Sequence, residues 1–294
     1  MHADSTMNSL QGKGARPLAA ALILALAAAG CAPTKKAAAP VAPQAPAASS
    51  PAVPENAPHP VMDQRALDRL KQMSDTLAAA KSFSYRTRTS AEVPAPTGQF
   101  LTLFARTEIA MERPDRVSAK TGGDIPPLRI VYDGAKVWVY DPVRNLYAAA
   151  AEPGGIEAAV QFLEEQAGIQ FPAHDFLTAD PYASMTRDLQ SAFVAGPADV
   201  DGHPTDHLAF MGPGVNWEIW VDSDAKALPR RFAITFKEAP NFPRFLIEFF
   251  DWKLNPKLPA GEFAFNAQKG TKQIEFASEL QDEFKAPAEG AGKK

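Results

Sequence analysis

Two imidazoles and a carboxylate stand close together in His203-Pro204-Thr205-Asp206-His207, the residue types that ligate metals or relay protons. On an extended strand His203 and His207 share a face, but four steps of ~3.3 Å set them about 13 Å apart. One metal with ~2.1 Å bonds reaches both only if the chain bends sharply near Pro204, and Asp206 points the opposite way. The segment reads as a polar turn after Asp201-Gly202 that enters a strand; a metal-dependent hydrolase is the rival reading. His174 stands alone at the start of a short helical piece. The acidic pairs Glu164/Glu165 and Asp222/Asp224 have the spacing of a helix face and a turn. The sequence holds no Gly-x-Ser-x-Gly elbow, no His-Glu-x-x-His and no phosphate-binding glycine loop. The expectation is a protein that is not an enzyme and carries no cofactor.

The other reactive residue is Cys31, the single cysteine of the 294-residue chain. One thiol excludes a disulfide framework, a cysteine-based zinc site and a C-x-x-C redox pair. Lys13 and Arg16 precede an uncharged run over 18–29. Roughly 12 helical residues cover about 18 Å, short of a ~30 Å hydrocarbon core, so the run reads as a secretory signal rather than a membrane span. Met7 serves as well as Met1 for its start. The run ends Leu26-Ala27-Ala28-Ala29-Gly30-Cys31, which resembles the lipobox of bacterial lipoproteins and departs from it at Ala28, where leucine is usual. The resemblance implies a signal peptide over 1–30 and a lipid on Cys31 that ties the protein to a membrane. Ala32 in the following position implies the outer membrane, facing the periplasm.

Residues 32–60 hold eight Pro and ten Ala with almost nothing large. Such a segment cannot bury enough surface to offset the entropy of ordering it, so 31–60 reads as the anchor and a semi-extended linker. The whole chain carries 30 Lys+Arg against 34 Asp+Glu, a formal net charge of −4. That excludes a non-specific nucleic-acid binder and removes charge attraction to anionic lipid as a means of anchoring. With 46% hydrophobic residues and 18 Phe, the remainder is rich enough for a packed domain, expected over 61–286, with a flexible tail at 287–294.

The elements follow from periodicity. Ala66, Leu70, Met73, Leu77 and Ala80 form one helical stripe. From Phe83 the period is two: Phe83, Tyr85, Thr87, Thr89, Ala91 and Val93 on one face, with Arg86, Arg88 and Glu92 on the other. Strands follow at 99–111, 116–120, 128–132, 135–140 and 145–150, with Asp133-Gly134 marking a hairpin. Ile156, Ala159, Val160, Leu163 and Ala167 make a second helical stripe ended by Gly168, and short helical pieces follow at 173–178 and 181–189. Further strands are expected at 191–200, 207–211, 215–222, 230–237 and 245–254. About ten antiparallel strands with helices at the start and in the middle describe an α+β domain on one large curved sheet.

Strand parity puts Trp217, Ile219, Phe232, Ile234, Phe245, Ile247 and Phe249 on inward faces. In the last strand Leu246, Phe250, Trp252 and Leu254 then fall on the opposite face, which is unusual for a sheet wet on one side. Either helices cover one face and a ligand-sized space the other, or the strand is central in a thick core.

The set His207-Leu208-Ala209-Phe210, Trp217-Glu218-Ile219-Trp220-Val221, Leu228-Pro229-Arg230-Arg231 and Asp251-Trp252…Asn255-Pro256 resembles a family of predicted periplasmic proteins, domain of unknown function 2092. Met73-Ser74-Asp75, Arg113-Pro114-Asp115-Arg116, Tyr132-Asp133-Gly134 and Asp180-Pro181-Tyr182 extend the match over nearly all of 61–280. That family is similar in architecture to the LolA, LolB and RseB group and to mycobacterial lipid-binding lipoproteins. The resemblance implies an unclosed β-barrel covered by helices, holding a lipid or the acyl chain of a lipidated partner, with the seven inward residues named above as cavity lining. A carrier is the first functional expectation, and an RseB-like sensor that contacts another envelope protein is the second.

Overall fold

The computed structural model describes residues 60–276 apart from 153, 170 and 172. The expected signal peptide, Cys31, the linker up to residue 59 and the tail at 287–294 lie outside the described residues.

Helix α1 (Gln64–Ala79) begins where the Asp63 carboxylate accepts the Arg65 N–H, and it buries Ala66, Leu70, Met73 and Leu77. The chain then climbs through a six-strand meander: β1 (Ser82–Pro94), β2 (Phe100–Glu112), β3 (Arg116–Gly123), β4 (Arg129–Tyr132), β5 (Lys136–Asp141) and β6 (Leu146–Ala151). A helical crossover follows, made of α2 (Gly155–Ala167), a 3-10 turn (His174–Leu177) and α3 (Pro181–Met185). A second meander runs through β7 (Ser191–Val200), β8 (His203–Gly212), β9 (Val215–Asp222), β10 (Pro229–Phe236) and β11 (Arg244–Leu254). Last comes β12 (Lys272–Ile274).

Among the described residues these form one sheet of 12 strands in the order β12-β6-β5-β4-β3-β2-β1-β11-β10-β9-β8-β7. The two ends of that order do not pair, so the sheet is not closed, as expected. Its two meanders meet at the β1–β11 seam in the middle, and the crossover carries the chain from one flank to the other. All neighbouring pairs are antiparallel except β12, which runs parallel to β6. The periodicity reading omits β12, although Lys272-Gln273-Ile274-Glu275-Phe276 alternates and both Ile274 and Phe276 are buried.

One parity expectation fails. Ser84 pairs with Lys253 while Arg86 pairs with Phe250, so β11 holds an extra residue, with Asp251 at φ 56. This bulge turns the strand over. Trp252 joins Tyr85 (ring centroids 4.3 Å apart) and Phe249 (5.9 Å) on the inner face, and Leu254 pairs with inward Phe83. Only Leu246 and Phe250 stay on the outer face, where the Arg88 guanidinium sits 4.9 Å above the Phe250 ring.

Candidate functional site

The inner face divides into three parts. Over the second meander it is filled: α1 lies against β7 and β9, Trp217 stacks on Phe210 at 3.9 Å, and Phe176 of the 3-10 turn meets Phe232 and Phe249 edge-on at 5.3 and 5.1 Å. Over the far side of the first meander it is also filled. Tyr132 of β4 donates to the Glu152 carbonyl at 2.8 Å and accepts the Gly155 N–H at 3.1 Å, tying down the start of α2. Phe162 of α2 packs edge-on against Phe276.

Between these flanks the floor changes character. The inward positions of β1, β2 and β3 there are Thr87, Thr89, Ala91 and Val93, then Leu103, Ala105 and Thr107, then Thr121, in cross-strand register (Thr87↔Thr107↔Thr121, Thr89↔Ala105, Ala91↔Leu103). All but Thr87 are half-buried, and Thr87 is buried. These half-buried, uncharged side chains form a strip of the inner face beside the seam, between two filled flanks. Phe245, Ile247 and Phe249 pair with Ala91, Thr89 and Thr87 and form one wall. The strip leads from Thr87 toward the end of the sheet where Leu101 (44% exposed) and Phe242 (60%) lie.

Of the seven residues expected to line a cavity, Trp217, Ile219, Phe232, Phe245, Ile247 and Phe249 are buried on the inner face and Ile234 is half-buried there. Phe245, Ile247 and Phe249 border the strip, whereas Trp217 and Ile219 lie two strands from the seam, within the filled part. The Thr and Ala residues of the strip were missed as lining. Their signal is present in the sequence: small residues at inward parity in strands whose neighbours carry aromatics there.

One polar group at the deep end lacks compensation. The Thr87 hydroxyl is buried without a hydrogen-bond partner among the described residues. Tyr85, two residues earlier on the same face, is 3% exposed, and burial alone pushes its phenol well above the usual range. The inward positions of β1, β2, β3 and β11 hold no Lys or Arg, and on β10 Arg230, at a bulge, is paired with Asp222. Charges are on the outer face instead, where Arg231 meets Glu248 at 2.6 Å and Arg86 meets Asp251.

The His203–His207 segment does not assemble a centre. His207 reaches Glu218 at 2.9 Å and stacks on Trp220 at 4.0 Å, while His203 lies 3.9 Å from Asp222. Asp206 points inward to Arg69 of α1, at 2.8 Å. Asp222 takes both arms of Arg230, at 2.7 and 2.6 Å. The Asp222 and Asp224 carbonyls accept from Arg69. These residues pin α1 to the end of β8 and β9. No group of three or more His, Cys, Asp or Glu that could hold a metal forms among the described residues.

The fold defines a class: an unclosed, mostly antiparallel sheet with helices over its inner face and a strip of half-buried, uncharged side chains beside its central seam. The chain belongs to the family described as predicted periplasmic protein (DUF2092), whose model matches residues 66–277. No curated protein matches it. Among solved structures it is similar to the lipoprotein LppX of Mycobacterium tuberculosis (13% identity, TM-score 0.43, over 67% of this chain and 98% of that one). It is also similar to a LolA superfamily protein of Nitrosomonas europaea (13%, TM-score 0.33, 70% and 98%). A third similarity is to the MucA/MucB complex of Pseudomonas aeruginosa (16%, TM-score 0.38), with 69% of this chain matched to 62% of that chain.

Proposed function

We propose that this protein is a lipid-anchored envelope protein, facing the periplasm, that holds the hydrocarbon of a lipid or of a lipidated partner in the channel over β1–β3. The observation that carries this reading is the strip of small inward side chains, half-buried between two filled flanks. Filling it with methylenes stabilises the complex by ~0.8 kcal/mol for each group removed from water. From Thr87 to Val93 the strip runs about 20 Å at ~3.3 Å per residue, longer than the ~15 Å of hydrocarbon in one leaflet. Phe245, Ile247 and Phe249 wall it, Ile234 stands behind them, and Trp217, Ile219 and Phe232 support the wall from the packed side. Residues 1–30 act as the signal peptide, Cys31 as the anchor, 32–60 as the linker, 61–286 as the binding domain and 287–294 as a tail. The reading assigns no catalysis.

The test is lipid occupancy. Protein drawn gently from its native envelope is expected to carry lipid visible by native mass spectrometry, and the emptied protein should take up a fluorescent acyl chain saturably. Thr89→Trp fills the strip and is expected to weaken uptake at least tenfold while costing about 1–3 kcal/mol of stability. Absence of both lipid and uptake overturns the carrier reading. A protein partner retained after delipidation would then place the sensor reading first.

A further inference from the structure

The large hydrophobic side chains that stand exposed among the described residues all lie toward one end of the sheet. Val61, Met62 and Phe193 are there beside the start of β7, and Val143 is in the β5–β6 turn. Leu101 and Phe104 lie on β2, and Phe242 in the β10–β11 connection. The turns at the other end carry Arg113, Asp115, Asp133, Asp201, Asp224 and Lys226 instead.

The β1–β2 hairpin projects from the apolar end. The β11 ladder reaches only to Ala91 of β1 and the β3 ladder only to Ala105 of β2. Beyond them Glu92↔Thr102, Val93↔Leu101 and Pro94↔Phe100 pair with each other alone, a ribbon about 10 Å long at ~3.3 Å per residue. Residues 93–105 hold no charged side chain. Leu101 and Leu103 have inward parity, and Phe100 and Phe104 outward. A ribbon bathed in water on both sides has no reason to be apolar on both, and such patches are surfaces that bind. The β10–β11 connection is tied to its base, where the Glu92 carboxylate accepts the Arg244 N–H at 2.8 Å. There Asn241 and Phe242 take left-handed backbone, φ 62 and φ 51, a costly state for a bulky residue that leaves Phe242 60% exposed.

Charge returns at the base of the hairpin, and its arrangement selects the occupant. The Glu92 and Asp124 carboxylates are taken up by backbone N–H groups, and Arg244 pairs with Glu218 at 3.1 Å. Arg88 and Arg106 stand opposite each other on the outer face of β1 and β2, both exposed and without an ion pair among the described residues. Like charges directly opposite destabilise a sheet, so this pair calls for an anion. Phe104 and Arg106 are two residues, or ~7 Å, apart along the strand, close to the ~5–8 Å depth of one headgroup region. Apolar rings with arginines one headgroup depth behind them follow the order of a bilayer surface, hydrocarbon and then phosphate. A second copy seated on the same patch would set arginines against arginines. The chain also enters the domain at this end, where the Val61 carbonyl accepts the Ala192 N–H, so an anchor upstream draws this end toward its membrane.

We infer, resting on the envelope setting proposed above but not on the strip being filled, that this end of the sheet docks on a phospholipid bilayer. The 92–105 hairpin and Phe242 enter the acyl boundary, and Arg88 and Arg106 lie at the phosphates. The anchor holds the domain and the rim orients it, with the open end of the strip toward the acyl chains.

The test uses protein purified from its native envelope and reconstituted in vesicles of phosphatidylethanolamine and phosphatidylglycerol. Thr97→Cys at the hairpin tip and, separately, Lys226→Cys at the opposite end take an environment-sensitive thiol label. Nitroxide-bearing acyl chains are expected to quench the label at the tip and not the one at the opposite end. Leu101→Ser combined with Phe104→Ser should abolish the quenching with the melting temperature unchanged, since both side chains are exposed; Phe242→Ser is the second variant if that pair fails to fold. Arg88→Gln combined with Arg106→Gln should lessen it. Equal quenching at the two positions, or none at the tip, overturns the inference. A blue shift at the tip that follows protein concentration without vesicles also overturns it, in favour of a second copy, as does a tip shielded by a co-purifying protein. Labelling of the unsubstituted protein would expose a free Cys31 and a failed anchor, and the same contrast is then read on protein added to preformed vesicles. Uptake of an acyl chain without vesicles reads the channel separately, so tip insertion without uptake removes the channel and leaves the rim.

Discussion

Asp251 occupies a backbone conformation that L side chains enter reluctantly, with φ 56 in the middle of a paired strand. Aspartate tolerates it better than most residues because its short polar side chain can bond locally, and here the carboxylate also reaches Arg86 on the neighbouring strand. That single residue decides where Trp252 goes. Without the bulge Trp252 would stand in solvent, and Tyr85 would lose the ring that lies 4.3 Å away. Asp251→Val is expected to be less stable than Asp251→Gly by about 1–2 kcal/mol, since both lose the exposed ion pair but only valine opposes the left-handed backbone. Urea titrations followed by tryptophan fluorescence measure the difference. Equal midpoints for the two variants would show that backbone strain at 251 is not what matters.

At the scale of elements, β12 is the smallest strand and holds an important edge. It pairs along β6, and its last residue Ile274 and the nearby Phe276 are 8% and 7% exposed. The opposite edge is treated differently. Val61 and Asp63 bond to Ala192 of β7, and beyond them the register slips between Val194 and Gly196 and Pro197 has no N–H to offer, devices that discourage edge-to-edge association. Truncation after Gly270 is expected to cost about 3–6 kcal/mol from the two lost side chains and to promote aggregation through the bared β6. An unchanged denaturation midpoint, with no rise in light scattering, would show that β12 is dispensable. The elements most legible in the sequence are those with long periods: the α1 stripe, the β1 alternation and the Asp133-Gly134 hairpin all appear where their residues place them. A three-residue strand carries too few residues for its period to stand out. The far end of β11 was misassigned because an extra residue in a strand leaves alternation looking intact on each side of it. The proposed channel is half legible: the inward set Phe245, Ile247 and Phe249 follows from parity. Its floor does not, because small side chains become a site only when no helix is set above them, and that depends on where the crossover lies.

Over the whole molecule, two meanders fold on opposite flanks and join at β1–β11, so the proposed channel has its floor on β1–β3 of the first and its wall on β11 of the second. Each flank has its own helical cover, and the seam between them is left to small residues. Among the described residues no helix is long and apolar enough to cross a membrane, and the formal charge of −4 gives no attraction to anionic lipid. A domain that is to exchange lipid with a membrane must then be held beside it by other means. On the proposed reading Cys31 supplies them, separated from the domain by the proline-rich 32–60. If those 29 residues act as the proposed linker, they reach roughly 90 Å fully extended as polyproline II and about 30 Å as a coil, enough for the proposed channel mouth to face the bilayer or turn from it. Two acyl signals suffice for stable anchoring where one gives only reversible binding. The mature protein is therefore expected to begin at a diacylglyceryl-modified Cys31 by mass spectrometry, and Cys31→Ser should move it from the membrane fraction to the soluble periplasm with the melting temperature of the domain unaltered. A free thiol at Cys31, or a mature chain beginning elsewhere, would remove the anchor and leave the channel to load from lipid that reaches it by diffusion.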